Sequence, residues 1–128
     1  KNKLYSLNRE THKKEMNELG ATSDYTLGSV HAVTEGGEIV IASNTGSQIP
    51  AYAYGSPRVI WVVGTQKIVK DMNTAMQRVY DYVLPLESER AHKAYGVTGS
   101  NVSKILILNK EVIPKRITIV LVKENIGF

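Results

Sequence analysis

The chain has 128 residues, 42% of them hydrophobic, which suffices for one packed domain with a single core and is too short for two ordinary domains. It contains no cysteine, so disulfides, thiolate nucleophiles and cysteine-held zinc or iron–sulfur centres are excluded, and redox metal chemistry would need a partner. Sixteen Lys and Arg against twelve Asp and Glu leave a net charge of +4, spread from Lys1 to Lys123 among acids, which argues against nucleic acid as a partner.

Lys1, Lys3, Arg9, His12, Lys13 and Lys14 form the only dense basic group and read as a solvated face. No basic segment followed by an apolar one opens the chain, and no apolar run is long enough for a membrane span, so a soluble, cytoplasmic protein is expected. The first residue is Lys rather than Met, which suggests a trimmed chain.

Leu4 to Leu19 is polar and helix-prone, with Gly20 placed to stop a helix in the left-handed conformation. Two β-prone runs, Gly28 to Thr34 and Glu38 to Ser43, flank Glu35-Gly36-Gly37-Glu38, and Gly-Gly between such runs predicts a hairpin with two carboxylates at its turn. Ser43 to Gln48 is a polar glycine loop, and Ile49 to Tyr54 a short helix whose free amides would face that loop. Arg58 to Val63 reads as a central strand covered on both faces.

After Gly64, apolar Ile68, Met72, Ala75, Met76, Val79 and Val83 recur at helical spacing, and Pro85 disfavours helical geometry at Leu84. Leu86 to Tyr95 suits another short helix, and Gly96 to Asn101 a loop. Lys104 to Leu108 and Arg116 to Val122 are two further strands around a turn holding Pro114. The mixture predicts an α/β chain: a three-layer α/β/α sandwich with a mixed, mostly parallel sheet.

Thr45, Gly46, Ser47 and Gln48 are candidate ligand-binding residues, because glycine admits close approach and the loop amides can donate to phosphate, carboxylate or carbonyl oxygen. The competing reading is an ordinary strand-to-helix connection with a Ser or Thr cap. Gly64 and Lys67 repeat the arrangement at the next strand end; Lys67, placed on a first helical turn against the helix dipole, would clamp the same anion. His12, His31 and His92 lack metal-ligand spacing, so no metal site is expected, and His31 suits a hydrogen-bonded structural role. Trp61, Tyr52 and Tyr54 suit the core or a dimer face.

The phrases SVHAVTEGGEIVIASNTGSQIPAYAYGSPRVIWVVGTQKIVKD, LPLESERAHKAYG and RITIVLVKENIGF resemble, in this order, the lactate-utilisation (LUD, LutC-like) domain family, from about Gly20 to Phe128. The family is similar in turn to the folds of ribose-phosphate isomerases, glucosamine-phosphate deaminases and CoA-transferases, which implies a ligand site at strand ends. Family members usually carry more N-terminal sequence, so a chain truncated there is expected: one LUD-like domain, with residues 1–20 as its N-terminal helix and 21–128 as the matching core. Many also carry cysteines where this chain reads Tyr95 to Ser103, which removes a local metal reading.

Thr34-Glu35-Gly36-Gly37 is similar to the Glu-x-Gly element bearing the nucleophilic glutamate of some CoA-transferases, which makes Glu35 the candidate catalytic residue. As a turn residue it needs no function. The resemblance implies a non-redox component of lactate or carboxylate utilisation, binding a small anionic ligand and working beside iron–sulfur and flavin-containing protein partners. No cofactor motif is present. The alternatives are a CoA or acyl transferase, or sugar-phosphate isomerase, using Glu35, and a dimerisation or regulatory module.

Overall fold

All five residues of β3, Ile39–Ser43, are buried, because its two faces meet different layers. In the computed structural model, which describes residues 6–128, β3 pairs antiparallel with β2, Ala32–Thr34, with Ala32 opposite Val40 and Val33 opposite Ile39. The two-residue β5, Ile68–Val69, joins β2 in parallel, and β6, Lys104–Leu108, joins β3 antiparallel, giving a four-stranded sheet ordered β5-β2-β3-β6. A second sheet places β4, Arg58–Gly64, between β1, Tyr25–Gly28, and β7, Ile117–Val122, all parallel. The α/β class and the mixed, mostly parallel pairing are as the sequence predicts; the strands are divided between two sheets.

Strand alternation assigns the core. Ile39 and Ile41 pack with Val59, Trp61 and Val63 between the sheets, where Tyr52 meets Trp61 edge-on at 5.3 Å and 89°. On the opposite face, Val40 and Ala42 pack against Ala75 and Val79 of the long helical segment. The layers therefore run sheet, sheet, helix. Contrary to the expected cover on both faces of β4, Ile60 and Val62 are only half-buried, and in the same sheet Leu27 and Tyr25 of β1 and Val120 of β7 are exposed.

The N-terminal helix is shorter than expected. Asn8 accepts from the Glu10 N–H at 2.8 Å, a local turn that competes with helix, and α1 runs only over Lys13–Ala21. Gly20 lies inside it, and the Thr22 and Ser23 hydroxyls cap the carbonyls of Glu18 and Leu19. The start of that expectation, at Leu4 and Tyr5, lies outside the described residues.

The long helix also departs from expectation at both ends. Ile68 belongs to β5, and α2, Met72–Gln77, starts at the Asp71 cap, whose carboxylate accepts from the Thr74 N–H at 2.8 Å. A π-helical segment, Arg78–Val83, then runs into α3, Leu84–Tyr95, and Leu84 keeps right-handed helical dihedrals of −60° and −45°. Pro85 does not stop the helix: the wide π turns immediately before it alter the hydrogen-bond register, so the ring sits in the first turn of α3, where a missing N–H costs little. Gly96, at φ 67°, closes α3 in the left-handed conformation.

Candidate functional site

A buried ammonium marks a first crevice. Lys67 does not sit on a long helix as expected, but in the single 3₁₀ turn Thr65–Lys67 between β4 and β5. Its side chain runs inward, leaving the residue 3% exposed, and Nζ donates to Ser29 Oγ at 3.1 Å and to the Val30 carbonyl at 3.0 Å. Among the described residues no carboxylate lies within ion-pairing distance. Burial, followed by the nearby positive charge of Arg78, lowers its pKa.

An ammonium has three hydrogens, and two are used here. The crevice it lines holds about 320 Å³ beside Gly28, Ser29, Val62 and Gly127. It opens at the carboxyl ends of β1 and β4, where ligands of open α/β sheets characteristically lie. The closing wall is the C-terminal segment, held by Gln66 Nε2 donating to the Ile126 carbonyl at 2.9 Å. Arg78 adds a second cation nearby: its Nε donates to the His31 carbonyl at 2.9 Å, its guanidinium lies 4.7 Å from the Tyr82 ring centre, and its buried Nη2 has no hydrogen-bond partner.

The second crevice, about 210 Å³, lies between the end of β3, the π segment and the loop after α3. Its polar lining includes His31, Asn44, Gln48, Glu87 and Asn101, over an apolar floor of Val79, Val83 and Ala42. His31 Nδ1 accepts from the Ala42 N–H at 3.0 Å, so the neutral ring carries its proton on Nε2. Burial, reinforced by Lys67 and Arg78 and opposed by Glu87, lowers the imidazole pKa to about 4.

The glycine loop contributes to this second crevice and not to the first. The Gly46 N–H donates to Ser43 Oγ at 2.8 Å and the Ser47 N–H to Thr45 Oγ1 at 3.3 Å, so both amides are spent within the loop. Gln48 faces the crevice while its Oε1 accepts from Ser43 Oγ at 3.0 Å. Gly64 ends β4, and a Cβ there would stand 2.7 Å from the Glu124 carbonyl oxygen, so its glycine serves close packing. Of the four predicted loop residues only Gln48 lines the second crevice, Thr45, Gly46 and Ser47 line neither, and Lys67 lines the first alone.

Glu35 is exposed on the hairpin turn, tied by its backbone N–H to the Val69 carbonyl at 2.8 Å, and lines neither crevice. Glu38 accepts from the Thr34 hydroxyl and returns its own N–H to Thr34 Oγ1 at 3.0 Å, so this second turn carboxylate staples the hairpin. Among the described residues no cluster of His, Asp and Glu could hold a metal, and no helix is long and apolar enough to cross a membrane. Sequence reasoning missed Ser29, Arg78 and Glu87, whose part depends on contacts between distant segments.

A family model described as the LUD domain matches residues 1–122, which includes the residues before Gly20. No curated protein and no solved structure matches the chain.

Proposed function

Because the chain belongs to the LUD domain family, we propose that it is a non-redox component of lactate or allied carboxylate utilisation that binds a small anion at the carboxyl ends of β1 and β4. The observation that carries this reading is Lys67: a cation that is 3% exposed, without a carboxylate partner among the described residues, beside an open crevice. A buried charge is costly unless it is paired. An anion at Nζ supplies the pairing, and the Arg78 charge nearby strengthens the same field. A chain without cysteine leaves the electron-transfer steps to iron–sulfur and flavin-containing partners, and contributes the capture of the substrate anion.

Thermal shift with L-lactate, pyruvate and inorganic phosphate tests the site. Ligand at a hundredfold excess over Kd adds about 2.7 kcal/mol, enough to move the midpoint by several degrees. Lys67→Met keeps the side-chain length and removes the buried charge together with the donor to the Val30 carbonyl, so each protein is read against its own unliganded midpoint, and the anion-induced shift is expected to be abolished in the variant. No shift with any of the three anions, or an undiminished shift in K67M, removes the reading.

A further inference from the structure

We propose that the crevice lined by His31, Gln48, Glu87 and Asn101 is a second binding site, separate from the Lys67 crevice, for a compact uncharged molecule bearing several hydroxyl or carbonyl oxygens. The lining is hydrogen-bonding, with Glu87 as its single charged group. His31 spends Nδ1 on the Ala42 N–H and presents Nε2–H as a donor. Gln48 spends its oxygen on Ser43 and retains its amide hydrogens; Asn44 spends its oxygen on Ser103 and does the same. The Asn101 side chain has no partner among the described residues, so it offers both a donor and an acceptor.

The one charged group in this lining is neutralised from outside. Arg90 grips both oxygens of Glu87, through Nε at 2.7 Å and Nη2 at 2.5 Å, which leaves the carboxylate as an oriented acceptor with its charge compensated. Arg90 also holds the Glu87 carboxyl below its usual range, so that acceptor persists at neutral pH. The imidazole stays neutral there too. A free anion would find no cation in this lining, and a free cation would meet a carboxylate already paired. A neutral polar molecule satisfies the donors, the acceptors and the apolar floor of Val79 and Val83 together.

The volume of about 210 Å³ lies below the roughly 300–1,000 Å³ of sites for drug-sized ligands, which sets the ligand at about the size of a monosaccharide. The π segment contributes to this shape, because it supplies Val79 and Val83 to the apolar floor.

The test is a titration of the ¹⁵N-labelled protein with D-glucose and, as its anionic counterpart, D-gluconate. Glucose is expected to give saturable amide shifts at Gln48, Glu87 and Asn101, with gluconate weaker. His31→Asn keeps an acceptor for the Ala42 N–H and withdraws Nε2–H; losing one hydrogen bond of about 1–1.5 kcal/mol should weaken glucose roughly tenfold. Gln48→Leu should do the same, and the amides of Ser29 and Gly127 should stay unshifted by glucose, which separates this site from the anion site. The inference is overturned by unsaturable shifts, by gluconate binding more tightly than glucose, by shifts mapping to Ser29 and Gly127, or by undiminished affinity in both crevice variants.

Discussion

Single side chains set the energetics around both crevices, and His31 sets their pH response. Its imidazole titrates at about 4 in the folded chain against 6.5 when free, with Lys67 and Arg78 facing it as cations and Glu87 as the opposing carboxylate. The unfolded chain therefore binds the extra proton between pH 6.5 and about 4, and the stability held above pH 6.5 falls as pH drops through that window. The loss is on the order of 2–3 kcal/mol for this group. Urea unfolding of wild type and H31N at pH 7 and 4.5 is expected to show the smaller decline in the variant; equal declines would assign the acid sensitivity elsewhere. Gly28 is the other sensitive residue, because a Cβ there would stand 1.8 Å from the Tyr52 hydroxyl oxygen. Gly28→Ala must push the phenol away from Trp61 and is expected to cost about 1–3 kcal/mol, read as a lower urea midpoint with unchanged slope.

At the scale of elements, Arg116 ties two segments that local propensity leaves independent. It is 1% exposed just before β7, and Nη2 donates to the carbonyls of Ala51 and Tyr52 at 3.0 and 2.7 Å while Nη1 pairs with Glu111 at 2.6 Å. These bonds fasten the helical turn Ala51–Gly55, and with it Tyr52, onto the parallel sheet. Arg116→Met leaves two buried carbonyls without donors and is expected to lose about 3 kcal/mol, whereas Glu111→Ala, whose side chain is 21% exposed, should lose about 1 kcal/mol. Chemical denaturation of both variants gives the comparison, and equal losses would place the stabilising role in the ion pair instead of in the carbonyl contacts. The strand β4 and the hairpin β2–β3 were legible in the sequence because apolar runs and the Gly-Gly turn are local signals. The break between β1 and β2 was not: Lys67 and Arg78, 37 and 47 residues away, hold the Val30 and His31 carbonyls and bend the chain there. Pro85 misled for a related reason, since the π segment that accommodates it has no signature in hydrophobic spacing.

For the whole molecule, the division into two sheets has a consequence at the surface. Parallel sheets usually bury both faces, yet the outer face of β1-β4-β7 leaves Leu27 73% and Val120 45% exposed. Register places Leu27 beside Ile60 and Val62 beside Val120, so these apolar groups adjoin across the three strands. Sequence alone predicted α/β and the parallel pairing, but a run such as Val-Ile-Trp-Val-Val is apolar on both faces whether or not a second layer arrives, so it could not report the exposed side. A contiguous apolar face of this kind favours self-association. Sedimentation velocity over a tenfold range of concentration is expected to show wild type shifting to larger species. The double variant Leu27→Lys with Val120→Lys should remain monomeric, since two added charges per chain repel across a face-to-face contact. Leu27 also lines the Lys67 crevice, so the anion-induced thermal shift is read in the single variant Val120→Lys, which lies outside that lining and should keep the shift of the parent. Association that persists in the double variant would move the contact to another surface, and loss of the thermal shift in Val120→Lys would show that the outer face and the Lys67 crevice are coupled across the parallel sheet.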